Sequence, residues 1–334
     1  MRRLTLLLAL VALVLATGTL VAGEERTLQR AEVARIQAVN DFAYSAEVPA
    51  LARVQGTAFF RTSIDINNNT NSNITVQYQF SYTCVSAGCD AANPFHRTAP
   101  QQINLQPLDG FHQDDFIDFL NTQSLLVAGA EQGCLGTLLV TFSNLPVQNP
   151  TGSEGTVVAR TYNHLDESTP DSATVGFAYN ASLFFESADT TLVGTARDTK
   201  GSPGVAGKLR SNVGVRNTDI NGTQQNVTLV LTAYDTATGQ KVGDAAGFTF
   251  ANVQPGELRQ ISDLWTNGLH IPATVHQVIL FVDNPSHTST SPTFEGYVTI
   301  IDGGTATGGS TTGVATQDAS FFEMKCADTN GCGN

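Results

Sequence analysis

The segment FRTSIDINN at residues 60–68 recurs as LRSNVGVRN at residues 209–217, and this repetition decides the fold. Outward from it, five more pairs of short motifs recur in the same order, at offsets between 138 and 153 residues. The pairs are 73–76 with 226–229, 104–107 with 252–255, 138–144 with 278–284, 154–155 with 295–296, and 180–182 with 318–320. An ordered set with a drifting offset indicates a duplicated domain with small loop insertions.

Each copy has the periodicity of β-strands. From Ile74 to Thr83 apolar and polar residues alternate, which places the apolar ones on one face of a strand. Residues 138–142 and 278–282 are apolar on both faces and are predicted to be central strands. About six or seven short strands per copy favour an all-β fold of two tandem antiparallel immunoglobulin-like β-sandwich domains.

The sequence divides into five segments. Residues 1–23 are a predicted signal peptide, and residues 24–53 are an N-terminal helical or extended segment with a short amphipathic helix at 25–39. Residues 54–187 form the first sandwich, residues 188–201 a linker, and residues 202–334 the second sandwich with its C-terminal tail. The Gly- and Thr-rich residues 303–313 are assigned to a long hairpin loop.

The N-terminus predicts export. Arg2 and Arg3 precede an apolar stretch at 6–16, which is shorter than the roughly 20 residues that cross a bilayer. A secreted, extracellular or cell-surface protein is expected, with the periplasm as the alternative. Removal of Arg2 and Arg3 takes the formal net charge from -13 to -15, so nucleic acid is not an expected partner. Membrane insertion is not expected either, because no later stretch is long and apolar enough.

Five cysteines remain after cleavage. In an oxidising compartment, the short spacings favour disulfides between Cys84 and Cys89 and between Cys326 and Cys332. Cys134 is then an odd thiol, free or bonded to a second chain. Pairing of Cys134 with Cys84 or Cys89 is the open alternative.

No catalytic or cofactor-binding residue is predicted, and the chain is expected not to be an enzyme. GxSxG, SxxK and HExxH motifs are absent. His112 with Asp114 and Asp115 is the best acid–base cluster, but the favoured interpretation is that the two acidic residues mark a helix start and that His112 is a solvated loop residue. One or two helical turns are expected at residues 114–120.

No metal ligands are predicted, although calcium is a minor alternative. The Asn-rich turn supplies oxygen ligands at every second position, but Thr70 and Val76 stand where a calcium loop needs Gly and Glu. A plain hairpin is therefore favoured. The oxygen-bearing residues are Asp65, Asn67, Asn69, Asn71 and Asn73.

Arg61 and Arg210 are the polar pair that recurs at the same strand position. They are candidate ligand contacts, and a role in anchoring the strand is the favoured alternative. Trp265 is expected in the core or at a domain end, near the repeat position of Phe116 or Leu120. Exposed Tyr162 or Tyr297 would be needed for a sugar-binding surface.

Residues 47–69, EVPALARVQGTAFFRTSIDINNN, resemble the domain openings of uncharacterised exported bacterial proteins with tandem immunoglobulin-like β-sandwich domains. The shared pattern is a small-residue entry, a Gly, an aromatic-Arg-Thr strand and an Asn-rich turn. The second copy keeps the Arg and Asn but has Leu209 for the aromatic and Ser211 for the Thr. The resemblance implies a sandwich fold and a surface or extracellular role, without an activity.

The expected function is that of a non-enzymatic secreted or cell-surface structural or adhesive protein, acting through β-sandwich loops or sheet edges. A carbohydrate- or other ligand-binding module is the alternative, and a hydrolase is the least favoured class. The expected partner is an extracellular or cell-surface protein or polysaccharide, or a second copy of the chain.

Overall fold

A computed structural model of the chain describes residues 43–55, 59–164, 175–181, 191–198, 209–219, 225–288, 291–302 and 319–327. Strands dominate these ranges, and every pair of neighbouring strands is antiparallel, which confirms the all-β antiparallel class. The predicted signal peptide, the helix at 25–39, the loop at 303–313 and Cys332 lie outside the described residues.

The first nine strands form the N-terminal unit. Hydrogen bonds join them in the order β4-β3-β7-β1-β2-β8-β9, with β5 on β3 and β6 on β2. Their bounds are β1 Tyr44–Gln55, β2 Phe59–Asn68, β3 Ile74–Cys84, β4 Phe95–Arg97, β5 Gln101–Leu105, β6 Gly110–Gln113, β7 Gly133–Ser143, β8 Gly155–His164 and β9 Val175–Asn180. A short helix, α1 Phe116–Thr122, and a 3₁₀ turn, Ala130–Gln132, lie between β6 and β7.

The N-terminal unit folds into two layers at the β1–β2 corner. Strand β1 pairs with β7 along nearly its whole length but with β2 only at Val54 and Gln55. The alternation seen in the sequence then turns one face of each layer inward, so that Phe80, Leu138 and Ile64 are completely buried in one core.

The remaining strands form the C-terminal unit as two separate sheets. One has the order β13-β12-β16-β10-β19 with β14 on β12, and the other β15-β11-β17-β18. The bounds are β10 Thr191–Arg197, β11 Leu209–Asn217, β12 Val227–Asp235, β13 Lys241–Val242, β14 Phe248–Val253, β15 Leu258–Ile261, β16 Gln277–Asp283, β17 Phe294–Asp302, β18 Ala319–Glu323 and β19 Lys325–Cys326. A π-helical turn, Leu264–Gly268, precedes β16 and lies in the second core with its buried Trp265.

The two units share one strand order. Replacing β1 to β9 by β10 to β18 converts the pairings of the first unit into those of the second, except that β10 and β11 do not pair as β1 and β2 do. Strand β19 is the one described strand without a counterpart. The motifs at 60–68 and 209–217 lie in β2 and β11, the second strand of each unit. We call β4-β3-β7-β1 and β13-β12-β16-β10 the first layers, and β6-β2-β8-β9 and β15-β11-β17-β18 the second layers.

A buried asparagine ends the second strand of each unit. The Asn68 amide donates to the carbonyls of Ser72, Leu105 and Gln106, and its oxygen accepts the Thr70 backbone N–H. The Asn217 amide likewise donates to the carbonyls of Gln225 and Val253, and its oxygen accepts the Asp219 N–H. Each side chain therefore holds the following turn against the neighbouring strand.

A hydroxyl also repeats. Thr62 Oγ1 accepts the Ala52 N–H at 3.0 Å and donates to the Ala52 carbonyl at 3.1 Å. Ser211 Oγ makes the same two contacts with Arg197, at 3.0 and 2.5 Å. The exchange of Thr62 for Ser211 between the motifs therefore preserves a bond between β2 and β1, and between β11 and β10.

Two strands lie outside the segments that the sequence pattern assigns to the sandwiches. Strand β1 begins at Tyr44, inside the predicted N-terminal segment, and pairs with β7 there. Strand β10 occupies most of the predicted linker at 188–201 and pairs with β16 from Thr191 to Arg197. Strands β1 and β10 both precede the repeated motif at 60–68 and 209–217. The sequences of β1 and β10 differ from each other, so the internal repeat does not predict these strands.

Candidate functional site

An exposed polar cluster lies on the outer face of the second layer of the N-terminal unit. His112 of β6 stands directly across from Asp65 of β2, with 2.7 Å between Nδ1 and Asp65 Oδ1. Its other ring nitrogen lies 3.0 Å from Asp114 Oδ1. Hydrogen bonds to Asp114 and Asp65 raise the pKa of His112 above its ordinary value. All three side chains are exposed.

Asp115 does not join this cluster. Its carboxylate caps α1 by accepting the Asp118 N–H at 3.1 Å, as two acidic residues at a helix start suggested. It also accepts a hydrogen bond of 3.0 Å from Arg53 Nε. Burial raises the pKa of Asp115, and Arg53 opposes that effect. The predicted acid–base group is therefore split between an exposed pair and a buried structural ion pair.

Arg61 lies beside this cluster, stacked on an aromatic ring. Its guanidinium carbon is 5.2 Å from the centroid of Tyr162, which pairs with Arg61 across β2 and β8. Arg160 lies 4.9 Å from the same ring, and the Tyr162 hydroxyl donates to the Asp114 carbonyl at 2.7 Å. Arg61 thus packs on an aromatic ring of the neighbouring strand, and its role as a ligand contact or a strand anchor stays a prediction.

Arg210 has a different environment. It is exposed on β11 and pairs with Ile301, so the aromatic partner of Arg61 has no equivalent there. The two arginines recur in sequence but do not form equivalent sites.

The Asn-rich turn does not bring its oxygens to one point. Asp65 faces His112, Asn68 is buried, and the Asn69 amide donates to the Ser153 carbonyl at 3.1 Å. Within the described ranges, no group of three or more His, Cys, Asp or Glu side chains is placed to hold a metal ion.

The aromatic residues considered for sugar stacking lie inside the protein. Trp265 is completely buried and donates its indole N–H to the Val275 carbonyl at 2.8 Å. Tyr162 and Tyr297 are 3% and 2% exposed, which corrects the expectation that they lie on the surface.

The cysteines follow the predicted pairing where the structure describes them. Cys84 and Cys89 form a disulfide with Cα atoms 6.0 Å apart. Cys326 is disulfide-bonded, and its predicted partner Cys332 lies outside the described residues. Cys134 is free, as the first alternative had it.

Cys134 lies on the inward face of β7. It is directly opposite Cys84 across β3 and β7, and its side chain is completely buried. Burial raises the pKa of its thiol far above the ordinary value, which keeps it protonated and unreactive. An intermolecular disulfide of Cys134 stays a prediction, and it would require this thiol to leave the inward face of β7.

The two units meet through a buried junction. Ala50, Leu258 and Tyr297 form its apolar centre, with Leu135 and Phe321 packed against them. Ala50 and Leu135 lie on the outer face of the first layer of the N-terminal unit, and Tyr297 on the outer face of the second layer of the other. The Arg97 side chain completes the contact by donating to the Pro255 carbonyl.

Beside this apolar centre lies an ionic cluster that the sequence did not reveal. Arg216 of β11 contacts Glu47 of β1, and its Nη1 is 3.2 Å from Glu295 Oε1 of β17. The three side chains are between 2% and 7% exposed. Burial and the nearby Glu47 carboxylate together raise the pKa of Glu295 to about 8, against the opposing effect of Arg216.

The position of Arg216 in its strand is a weak sequence signal for this ionic cluster. Arg216 alternates with the buried Val213 and Val215 on a strand, at the position of Asn67 in the first copy. Its partner Glu47 is distant in sequence, so the match required the tertiary structure.

The described part of the chain contains no helix of the length and apolarity needed to span a membrane. No protein-family model matches the sequence, and no curated protein is significantly similar to it.

Proposed function

We propose that the chain is a non-enzymatic structural or adhesive protein that acts outside the cytoplasm, built from two immunoglobulin-like β-sandwich domains that arose by duplication. The shared strand order, the equivalent Asn68 and Asn217 and the equivalent Thr62 and Ser211 support the duplication. The export signal in the sequence and the Cys84–Cys89 disulfide support the location.

The observation that carries the structural role is the junction. It buries apolar and ionic side chains of both units, which fixes their relative orientation and makes a rigid body. A rigid acidic body presents its loops and sheet edges at constant spacing, as a partner in adhesion or assembly requires. The expected partner is a protein or polysaccharide of the cell surface or matrix, or a second copy of the chain.

Capture on intact producing cells and their matrix tests this proposal. We expect the mature protein to be retained by one of these fractions, and Arg210→Ala to weaken retention without changing stability if this exposed side chain contacts the partner. Lys241→Ala, another exposed cation, is the matched control. A protein that stays monomeric in the culture fluid and binds no cell, matrix or protein contradicts the proposal.

A ligand-binding module is the second candidate. Tyr234 and Phe281 are half-buried on the outer face of the C-terminal first layer, with ring centroids 5.4 Å apart. A selective hit on a glycan array that is lost in Tyr234→Ala would favour this function over the structural one.

A further inference from the structure

The ionic cluster at the junction has two carboxylates for one guanidinium. In the described part of the chain, Arg216 is the one cation in contact with Glu295, and it also contacts Glu47. A buried carboxylate that shares its cation with a second carboxylate is unfavourable in the ionised form, and protonation relieves both the burial cost and the repulsion.

The other charged groups around the cluster do not remove this imbalance. Glu323 of β18 adds negative charge near Glu295, and Lys325 lies 3.8 Å from Glu323 with its side chain 63% exposed. Arg97 of β4 acts on Arg216 from the N-terminal unit, but it is exposed to solvent and its hydrogen bond goes to the Pro255 carbonyl. Solvent screens both exposed cations.

We propose that the Glu47–Arg216–Glu295 cluster holds one proton when the two units are docked, and that the docking is therefore sensitive to pH. Glu47 belongs to one unit, whereas Arg216 and Glu295 belong to the other, so separation of the units returns the carboxylates to water. The junction thus binds a proton that the separated units release.

The raised pKa of Glu295 determines how the stability of the docked chain changes with pH. The Glu295 pKa is about 8 in the folded, docked chain, against 4.5 for the free side chain, so the contribution of this group to stability is complete below about pH 4.5. It is lost progressively as the pH rises, until it ends near pH 8. The junction is therefore tightest in mildly acidic solution and loosens towards alkaline pH.

Urea unfolding of the full mature chain between pH 5.5 and 8.5, followed by Trp265 fluorescence, tests the proposal. We expect the unfolding constant to rise by up to about tenfold per pH unit through the release of this one proton. Glu295→Gln should remove that rise and be at least as stable as the wild type at pH 8.5. Asp235→Asn, at an exposed turn remote from the junction, is the control and should keep the wild-type slope.

Glu47→Gln provides an independent variant. It removes the competing carboxylate, so the remaining pH dependence should move to lower pH because Glu295 then has Arg216 to itself. The proposal is overturned if the unfolding constant of Glu295→Gln depends on pH as steeply as that of the wild type. It is also overturned if the wild-type unfolding constant changes less than about twofold between pH 5.5 and 8.5. If Glu295→Gln does not fold, the wild-type slope and the Glu47→Gln shift still decide between the outcomes.

Discussion

Leu108 occupies a backbone conformation that suits glycine. It follows Pro107 in a turn closed by the Asp109 N–H and the Gln106 carbonyl, with φ of 57° and a side chain 71% exposed. The equivalent turn of the C-terminal unit has Gly256 there, with φ of 75°. We expect Leu108→Gly to stabilise the protein by roughly 1 kcal/mol, because the left-handed strain disappears and the exposed side chain contributes little packing.

The matched change is Gly256→Ala, which should destabilise by roughly 1–2 kcal/mol. An added Cβ would also lie 2.8 Å from Arg97 Nη2 and disturb the junction. Urea denaturation midpoints of the two variants should move in opposite directions. A loss of stability in Leu108→Gly would show that the turn does not strain Leu108.

His112 is the exposed side chain whose titration reports on the surface cluster. Two carboxylates bind its ring, and they raise its pKa. In Asp114→Asn and Asp65→Asn we expect the His112 pKa, measured by NMR, to fall towards the ordinary value of about 6.5. His270 serves as an internal reference, since it binds Asp244 at 2.8 Å and neither substitution touches it. A His112 titration that both variants leave unchanged would rule out the observed pairing.

Cys134 shows how far composition alone can be taken. The odd number of cysteines and the short spacing of Cys84 and Cys89 left Cys134 as the unpaired thiol, and Cys134 is free in the structure. The direction of its side chain could not be predicted, because it depends on how β7 pairs with its neighbours. We expect alkylation of native protein to leave Cys134 unmodified, and alkylation in guanidinium to modify it fully, with peptide mass spectrometry as the readout. Rapid labelling of the native chain would restore the cross-linking hypothesis.

Asn68 and Asn217 each end a strand and hold the following turn against the neighbouring strand. Replacing either residue by Ala leaves buried carbonyls, such as those of Leu105 and Val253, without their donors. We expect a loss of roughly 1–3 kcal/mol for each variant in denaturant unfolding. Asn73→Ala, in the same turn but exposed, should change stability by no more than about 0.5 kcal/mol. Equal effects of Asn68→Ala and Asn73→Ala would mean that the buried amide has no special role.

The strands themselves were largely predictable, and their partners were not. Period-two alternation identified β3, and continuous apolar runs identified β7 and β16 as central. Strand β1 was not predicted, because Pro49 and the small residues around it break the alternation of apolar and polar residues. At the same place the register of β1 against β7 shifts, between Val48 and Leu51. Arg61 and Arg210 were found by repetition, whereas the Glu47–Arg216 contact depends on packing that no local pattern encodes.

The two sandwiches are expected to unfold together. Within the C-terminal unit, the Tyr297 ring stacks on Phe321 at 5.0 Å and its hydroxyl donates to Gln260. At the junction, the same buried ring packs in one apolar cluster with Ala50 of the N-terminal unit. We expect a single calorimetric transition in the wild type and two in Tyr297→Ala, because loss of this contact uncouples the units. Tyr234→Ala, on the opposite outer face, should lower the transition temperature but leave one transition. Two transitions already present in the wild type would show that the junction is weak.

The junction joins unlike faces, the first layer of one unit to the second layer of its duplicate. Contacts of this head-to-tail kind continue into open filaments when every subunit carries both faces. The N-terminal unit does not offer this ionic contact again, because the position of β2 that corresponds to Arg216 is Asn67, which carries no charge. The second layer of the N-terminal unit thus lacks the cation that would bind Glu47 of another copy, which opposes head-to-tail association beyond the single chain.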